Sequence, residues 1–573
     1  MPECVSDCLD RHAGRPFAAA CPLLALAIAG LLLALPDGAA GQDLEAIPPE
    51  AFVEDPAAED PSATSATNSP AGSGEAPEVL HVTDRFLESA EGRSALRAYR
   101  TALERGAAGK AVAPAEFSID DTTAFNVWRI DSSEYRYDVS FVLKEKSEDF
   151  YLWVEEAELD STGSEPPHVR GRDVDSLYDA LENETPTGSH DPDAGIIANN
   201  EAVFGEPGDR DNNGRVHILL TDVKDDWDGG GGAFVAGFFK PSDLDFNAQG
   251  SNQGEVLYLD THPGIYSDGE YRISAKLQST AAHEYQHLIH AAYDASEETF
   301  VNEGLSEWAE LVNGYQPRPT QYLSSPDEVS GYNTFFYNWS SSSADALYDY
   351  QRAGLFTQYL AERLGTLNTG MITRIGPNVI AGSGYEAAFD SAGHGDWTMS
   401  EVLGWFHTAN VLNDRSVDPR FGYEADSRSD LGASAQPAFD GRTESSTSPR
   451  SVTVRPGGVR YVRWSNVEDF SLTLEADTSS DENQAAKIAD GPSAETIRSW
   501  TDASLILESS GSDTLTIDSV DVQADAQLFE GSYQRVTLVL VHRKAGFNFS
   551  GDGPAAQGAP LRYSADWKAE KTY

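Results

Sequence analysis

Two histidines stand four residues apart with a glutamate beside the first: His283, Glu284 and His287, in the run Ser279-Thr280-Ala281-Ala282-His283-Glu284-Tyr285-Gln286-His287-Leu288-Ile289-His290. On an α-helix, residues at i and i+4 share a face, so both imidazoles can reach one metal ion. Glu284 then projects beside the ion's exchangeable position. A metal held this way makes its bound water acidic near neutral pH. A carboxylate at that place takes the proton and later delivers it to a leaving group. Ala281, Ala282, Leu288, Ile289, Ala291 and Ala292 favour a helix, and neither Gly nor Pro interrupts them. The same spacing also occurs on helices that hold no metal, so the chemistry depends on a third ligand.

Catalytic zinc usually takes three protein ligands and a water. Downstream, Val301-Asn302-Glu303-Gly304-Leu305-Ser306-Glu307-Trp308-Ala309-Glu310 carries apolar positions at helical spacing. Tyr293-Asp294-Ala295-Ser296 offers the turn and the helix cap between the two segments. Helices joined by a short loop pack antiparallel, which returns Glu303 towards the histidine pair. Glu307, one turn on, is placed to accept the free ring N–H of a ligand histidine. Glu310 reads as part of a solvated helix face. His290, three residues past His287, points away from a shared ion and reads as a structural histidine.

These residues resemble the gluzincin metallopeptidases, whose third zinc ligand is the glutamate of an N-E-G/A motif on the next helix. More narrowly, H-E-Y-Q-H-L-I followed by V-N-E-G-L-S-E-W-A-E is similar to the hyicolysin family of secreted neutral metallopeptidases. The resemblance spans roughly residues 115–425 and is densest between 209 and 310. It implies zinc on His283, His287 and Glu303, with Glu284 catalytic. Tyr350 matches a tyrosine of the family pattern, at the start of a helical run, and is the candidate donor to the oxyanion. His262 and His394 are weaker candidates for that role and read as surface-loop residues. Glu255–Asp260 reads as a strand that, at a sheet edge, could pair with an extended peptide. The Gly229–Gly232 run reads as a rim or a linker.

Asp209-Arg210-Asp211-Asn212-Asn213-Gly214 has the opening of a calcium loop, with Asp209, Asp211 and Asn213 as candidate ligands. The glutamate expected at the twelfth position is absent, since Leu220 stands there. The alternative, a polar turn before a strand, is the preferred reading.

The chain has 573 residues and a formal net charge of −53, with Asp and Glu spread from end to end and lysine scarce. Nucleic acid and anionic membrane are poor partners for such a surface. Pervasive carboxylate keeps a protein hydrated where salt screens ordinary repulsion, which points to a halophilic source. Cys4, Cys8 and Cys21 are the only cysteines, so a chain cleaved after about residue 41 has no disulfide chemistry. Residues 1–41 read as a signal peptide, with Arg11 and Arg15, an apolar run from Phe17 to Leu35, and small residues from Gly38 to Gly41. An uncleaved anchor is the alternative.

Residues 42–78 have the composition of a disordered linker or propeptide segment. The fold expected is α+β: a zincin-like metallopeptidase domain over 79–440, then an antiparallel β-sandwich accessory domain over 445–573. The function expected is that of an exported zinc endopeptidase acting on protein or peptide substrates, with calcium as a further ligand and no stable membrane insertion. Three N and O ligands also suit cobalt or manganese. A non-catalytic surface or adhesion protein on a retained peptidase scaffold, and a zinc hydrolase of a non-peptide substrate, are the alternatives.

Overall fold

A computed structural model describes residues 79–569 apart from 105–115, 160–167, 226, 228–232, 268–269, 272–274, 295–296, 341, 366, 369–382, 425–437, 440–446, 479–492, 512–513 and 544–557. The expected signal peptide over 1–41, the 42–78 segment, Gly229–Gly232, Ala295 and Ser296 lie outside the described residues. Among the described residues, no helix is long and apolar enough to cross a membrane.

Short apolar runs fix the first sheet. β1 (Val79–His81), β2 (Thr122–Arg129), β3 (Glu134–Lys146), β4 (Phe150–Glu155), β5 (Val216–Thr221), β6 (Phe234–Phe239) and β7 (Val256–Asp260) form one mixed sheet in the order β1-β6-β7-β5-β4-β3-β2. The central strands are buried on both faces, so their sequences are continuous apolar runs rather than alternating ones. The two-residue period still sorts them. Phe150, Leu152 and Val154 enter one core with Ile218, Leu220, Leu257 and Leu259. Tyr151 and Trp153 enter the opposite core with Leu219, Phe238 and Tyr258.

The helices that follow in chain order are α1 (Thr83–Glu88), α2 (Ala90–Glu104), α3 (Glu156–Leu159), α4 (Gly171–Glu182), α5 (Ile196–Phe204), α6 (Ala275–Tyr293), α7 (Thr299–Val312) and α8 (Ser343–Leu364). α6 is buried along most of its length. A helix that is apolar or partnered all round belongs in a core. β6 lies close against it: a Cβ added at Gly237 would meet Thr280 Cγ2 at 2.8 Å and Tyr258 O at 2.6 Å. The N-cap of α7 is Glu298, two residues beyond the turn the sequence pointed to, and no side chain caps it.

β7 is an interior strand, not an edge. β6 adds antiparallel to its outer side, with Gly237 opposite Leu259 and Phe239 opposite Leu257. Beyond β7 lies β6, and β1, parallel along β6, is the strand at that edge of the sheet.

The C-terminal strands Arg450–Val454, Val459–Ala476, Thr501–Ser509, Leu515–Ser519, Gln523–His542 and Ala559–Ala569 were expected to form a two-sheet sandwich. They instead share one hydrogen-bonded network, with Ala438–Phe439 joined to its side. The strand Val459–Ala476 pairs with both Gln523–His542 and Ala559–Ala569, and it shifts register at bulges. Bulges bend a long strand and let one sheet wrap its own core. Trp464, Leu472, Leu474, Leu538, Leu540 and Leu561 fill that core. The outer residues of these strands reach the larger core beneath the helices: Val459, Tyr461, Val539 and Val541 cluster with Phe336, Phe356 and Phe406. His407 Nε2 meets Gly457 O at 2.8 Å, and Tyr461 Oη donates to His407 O at 2.7 Å. The C-terminal sheet thus rests on the same buried cluster as the helices.

Candidate metal centre

α6 and α7 run antiparallel. Ser279 meets Glu310, Gln286 meets Ser306 at 2.6 Å, and His287 meets Asn302 at 2.7 Å. α8 closes the arrangement. A Cβ added at Gly304 would strike Thr357 Oγ1 at 2.4 Å, so the residue after Glu303 must be small for α7 and α8 to approach this closely.

The antiparallel pairing gathers His283, His287 and Glu303, all fully buried. Glu303 Oε2 lies 3.2 Å from His283 Nε2 and 3.3 Å from His287 Nε2, and the two Nε2 atoms are 3.2 Å apart. The other ring nitrogens fix the tautomers. His283 Nδ1 donates to Glu310 Oε1 at 3.1 Å, since an ionised carboxylate only accepts. His287 Nδ1 donates to Asn302 Oδ1. Each neutral ring then turns the lone pair of Nε2 inward, towards a carboxylate oxygen. Glu303 Oε1 is buried with no hydrogen-bond partner. Three inward acceptors and an orphaned carboxylate oxygen are a donor set for a divalent cation, and two imidazoles with one carboxylate suit zinc. Burial opposes charge on His283, yet the carboxylates of Glu303 and Glu310 outweigh it and raise its pKa to about 10, so a metal binding at Nε2 would displace a proton from that ring. Burial likewise opposes the Glu303 carboxylate, and the two imidazoles hold it well below the usual range.

Glu284 is fully buried beside the trio. Burial opposes its charge, and His81 with the two ligand imidazoles lowers its pKa overall. It is ionised at neutral pH. Its Oε1 lies 3.2 Å from His81 Nδ1, and its Oε2 accepts from Thr83 Oγ1 at 2.7 Å.

Two sequence expectations are corrected here. Glu307 does not take the ring N–H of His283: the separation is 3.8 Å, too long for a hydrogen bond. Arg318 Nε holds Glu307 at 2.6 Å and turns it away. Glu310 takes that N–H, and it is buried rather than solvated, with Ser279 donating to its second oxygen. A partner of this kind fixes ring orientation and ligand basicity, so Glu310→Gln is expected to weaken zinc affinity about 10–100-fold. Competition with a chromophoric chelator measures this, and a larger loss for Glu307→Gln than for Glu310→Gln would reverse the assignment.

Tyr350 lies within α8 rather than at its start, and is buried facing the site, its ring centroid 6.4 Å from that of His283. Its hydroxyl donates to the carbonyl of His81 at 2.7 Å. His290 is buried with neither ring nitrogen hydrogen-bonded, and burial together with His287 lowers its pKa to about 3. His262 sits beside Trp227 and Tyr266, and His394 stacks on Trp397, both apart from the trio.

At the suspected calcium loop, Asp209 and Asp211 converge with Glu255, which sequence reading missed; their carboxylate oxygens lie within 4.8 Å of one another. Glu255 supplies a carboxylate that the twelfth position lacks. Asn213 is not part of this group: its Oδ1 accepts from the Arg215 backbone and its amide donates to Asp211.

No family model matches the chain. A 169-residue stretch is 33% identical to the neutral metalloprotease ShpI of Staphylococcus hyicus. That stretch is 28% of this chain and 37% of the relative, so the chain spans little more than a third of the relative it matches. A metalloprotease homologue and buried His/Glu clusters able to hold a metal thus coincide in one chain. Among solved structures, a designed double-stranded β-helix covers 21% of the chain at 13% identity and a TM-score of 0.11, too low to inform the fold.

Proposed function

We propose that this chain is an exported zinc endopeptidase in which His283, His287 and Glu303 hold the metal and Glu284 is the general base. The observation that carries the reading is the convergence of two imidazole lone pairs and a carboxylate beside a second, ionised carboxylate. The partial likeness to a neutral metalloprotease supports it.

Zinc, when bound at the trio, supplies Lewis acidity and a water that ionises near neutral pH. Glu284 accepts a proton as the water oxygen bonds to the scissile carbonyl carbon. The carboxyl then returns that proton to the amine nitrogen as the C–N bond breaks. Tyr350 Oη is the nearby donor suited to the carbonyl oxygen as it gains charge. Glu310 and Asn302 hold the two imidazoles in the ligating tautomer.

The test is a panel of unstructured proteins, peptides and simple esters, run after chelation and metal add-back. Zinc add-back is expected to restore peptide cleavage. Calcium add-back is expected to raise the melting temperature through Asp209, Asp211 and Glu255 without restoring turnover. Cleavage confined to esters would favour another hydrolase, and a zinc-loaded chain inert throughout would favour a scaffold.

A further inference from the structure

We propose that residues Val79–Thr83 are a built-in inhibitory segment that occupies the peptide-binding edge of the sheet and engages the catalytic groups; the inference rests on the peptidase reading above. Six contacts converge on this short stretch. β1 hydrogen-bonds along β6, with Val79 opposite Phe234, Leu80 opposite Val235 and His81 opposite Gly237. β6 is the strand that lies against the metal-site helix, and an extended substrate would dock on that same edge through its main chain. The His81 imidazole stacks on His283, ring centroids 3.6 Å apart, and its Nδ1 meets Glu284 Oε1 at 3.2 Å. Thr83 Oγ1 occupies the other oxygen of Glu284 at 2.7 Å. The carbonyl of His81 takes the hydroxyl of Tyr350 at 2.7 Å, and that of Val79 takes Arg318 Nη1 at 2.8 Å.

The edge strand, the base and the oxyanion donor are thus all engaged by one segment. A substrate needs the same three. Both oxygens of Glu284 are engaged by the segment, so a water at the carboxylate competes with two contacts already made. Tyr350 cannot serve a substrate carbonyl while it serves that of His81. Val79 and His81 also wall a cavity of about 710 Å³ that reaches Thr280, Glu310, Arg318 and Leu347. That volume lies within the range of ligand sites, so withdrawal of the segment opens an existing space rather than creating one. β1 has only three residues and pairs with β6 alone at the end of the sheet, so its withdrawal breaks a single short ladder.

Substrate affinity and turnover then scale with the fraction of molecules whose segment is withdrawn. His81→Gly removes the imidazole, and Thr83→Val independently removes the second hold on Glu284. Each is made in the full chain, and zinc content and melting temperature are measured to establish folding. Each is expected to speed cleavage of an unstructured protein about 10-fold or more, the scale of one hydrogen bond to a charged group. A zinc-chelating peptide hydroxamate is expected to bind each variant about 10-fold more tightly. Adding Glu284→Gln in the same background is expected to abolish the gain. If the parent cleaves with chelator sensitivity and neither variant is faster, the inhibitory segment is refuted and the peptidase reading stands. If both variants are slower at equal zinc content, His81 and Thr83 assist the reaction and the proposal is overturned. If zinc-loaded parent and variants all fail to cleave, the peptidase reading falls and takes the segment with it.

Discussion

Replacing Glu284 by glutamine is expected to lower peptide-bond hydrolysis by about 10²–10⁴-fold, the usual share of a positioned acid–base group, while zinc stays bound. Glutamine keeps the volume and the hydrogen-bonding reach but cannot accept the water's proton. Glu284 belongs to neither buried group of prospective metal ligands, so metal content should remain that of the parent. The comparison is best made in the His81→Gly background as well, where the carboxylate oxygen held by His81 is released. Equal turnover at equal zinc content would remove Glu284 from the mechanism.

Glu303→Ala separates metal binding from base chemistry. This change removes the carboxylate shared by both Nε2 atoms and leaves two lone pairs facing each other in a buried space. Zinc is expected to fall from about one equivalent to a small fraction of that, and turnover with it. The stabilisation that bound metal gives the fold by mass action, about 3–4 kcal/mol at several hundred- to a thousandfold excess over the dissociation constant, is expected to vanish too. The melting temperature of the variant should no longer respond to zinc. The metal-free parent adds a pH signature. The folded pKa of Glu303 lies below its ordinary value, so its charge stabilises the fold above the usual carboxylate range. That contribution is lost as pH falls through the lowered folded value. Denaturation of metal-free Glu303→Ala should therefore lack that part of the acid dependence. A variant that binds zinc as the parent does would show that Glu303 is not a ligand.

The part of this site that is local in sequence was legible there. A four-residue repeat on one helix places two imidazoles together whatever surrounds them, and a short loop returns the next helix antiparallel, which brings Glu303 to them. What was not legible depends on rotation and on distant chain. Glu303, Glu307 and Glu310 sit at successive helical spacings, and which of the latter two meets His283 is decided by Arg318 capturing Glu307. Asn302 was visible as a neighbour of Glu303, but nothing in the motif announced its bond to His287. His81 reaches Glu284 across 203 positions through the pairing of β1 with β6, and no local pattern signals such a contact. The same blindness made β7 look like a sheet edge, because its apolar run does not say which strand lies outside it. Glu255 was missed for a related reason: it lies outside the loop that the calcium motif scans. The α+β character and the β-rich C-terminal part were readable from periodicity, whereas the sharing of one sheet by Val459–Ala476 and its partners depends on bulges that leave no clear trace in composition.

The most direct test of the metal centre is anomalous X-ray scattering at the zinc edge from crystals of the zinc-loaded chain. A single strong peak is expected about 2.0–2.2 Å from His283 Nε2, His287 Nε2 and a carboxylate oxygen of Glu303. A peak settled instead among His81, His283, Glu307 and Glu310, or no peak within bonding reach of the first three, would contradict the account.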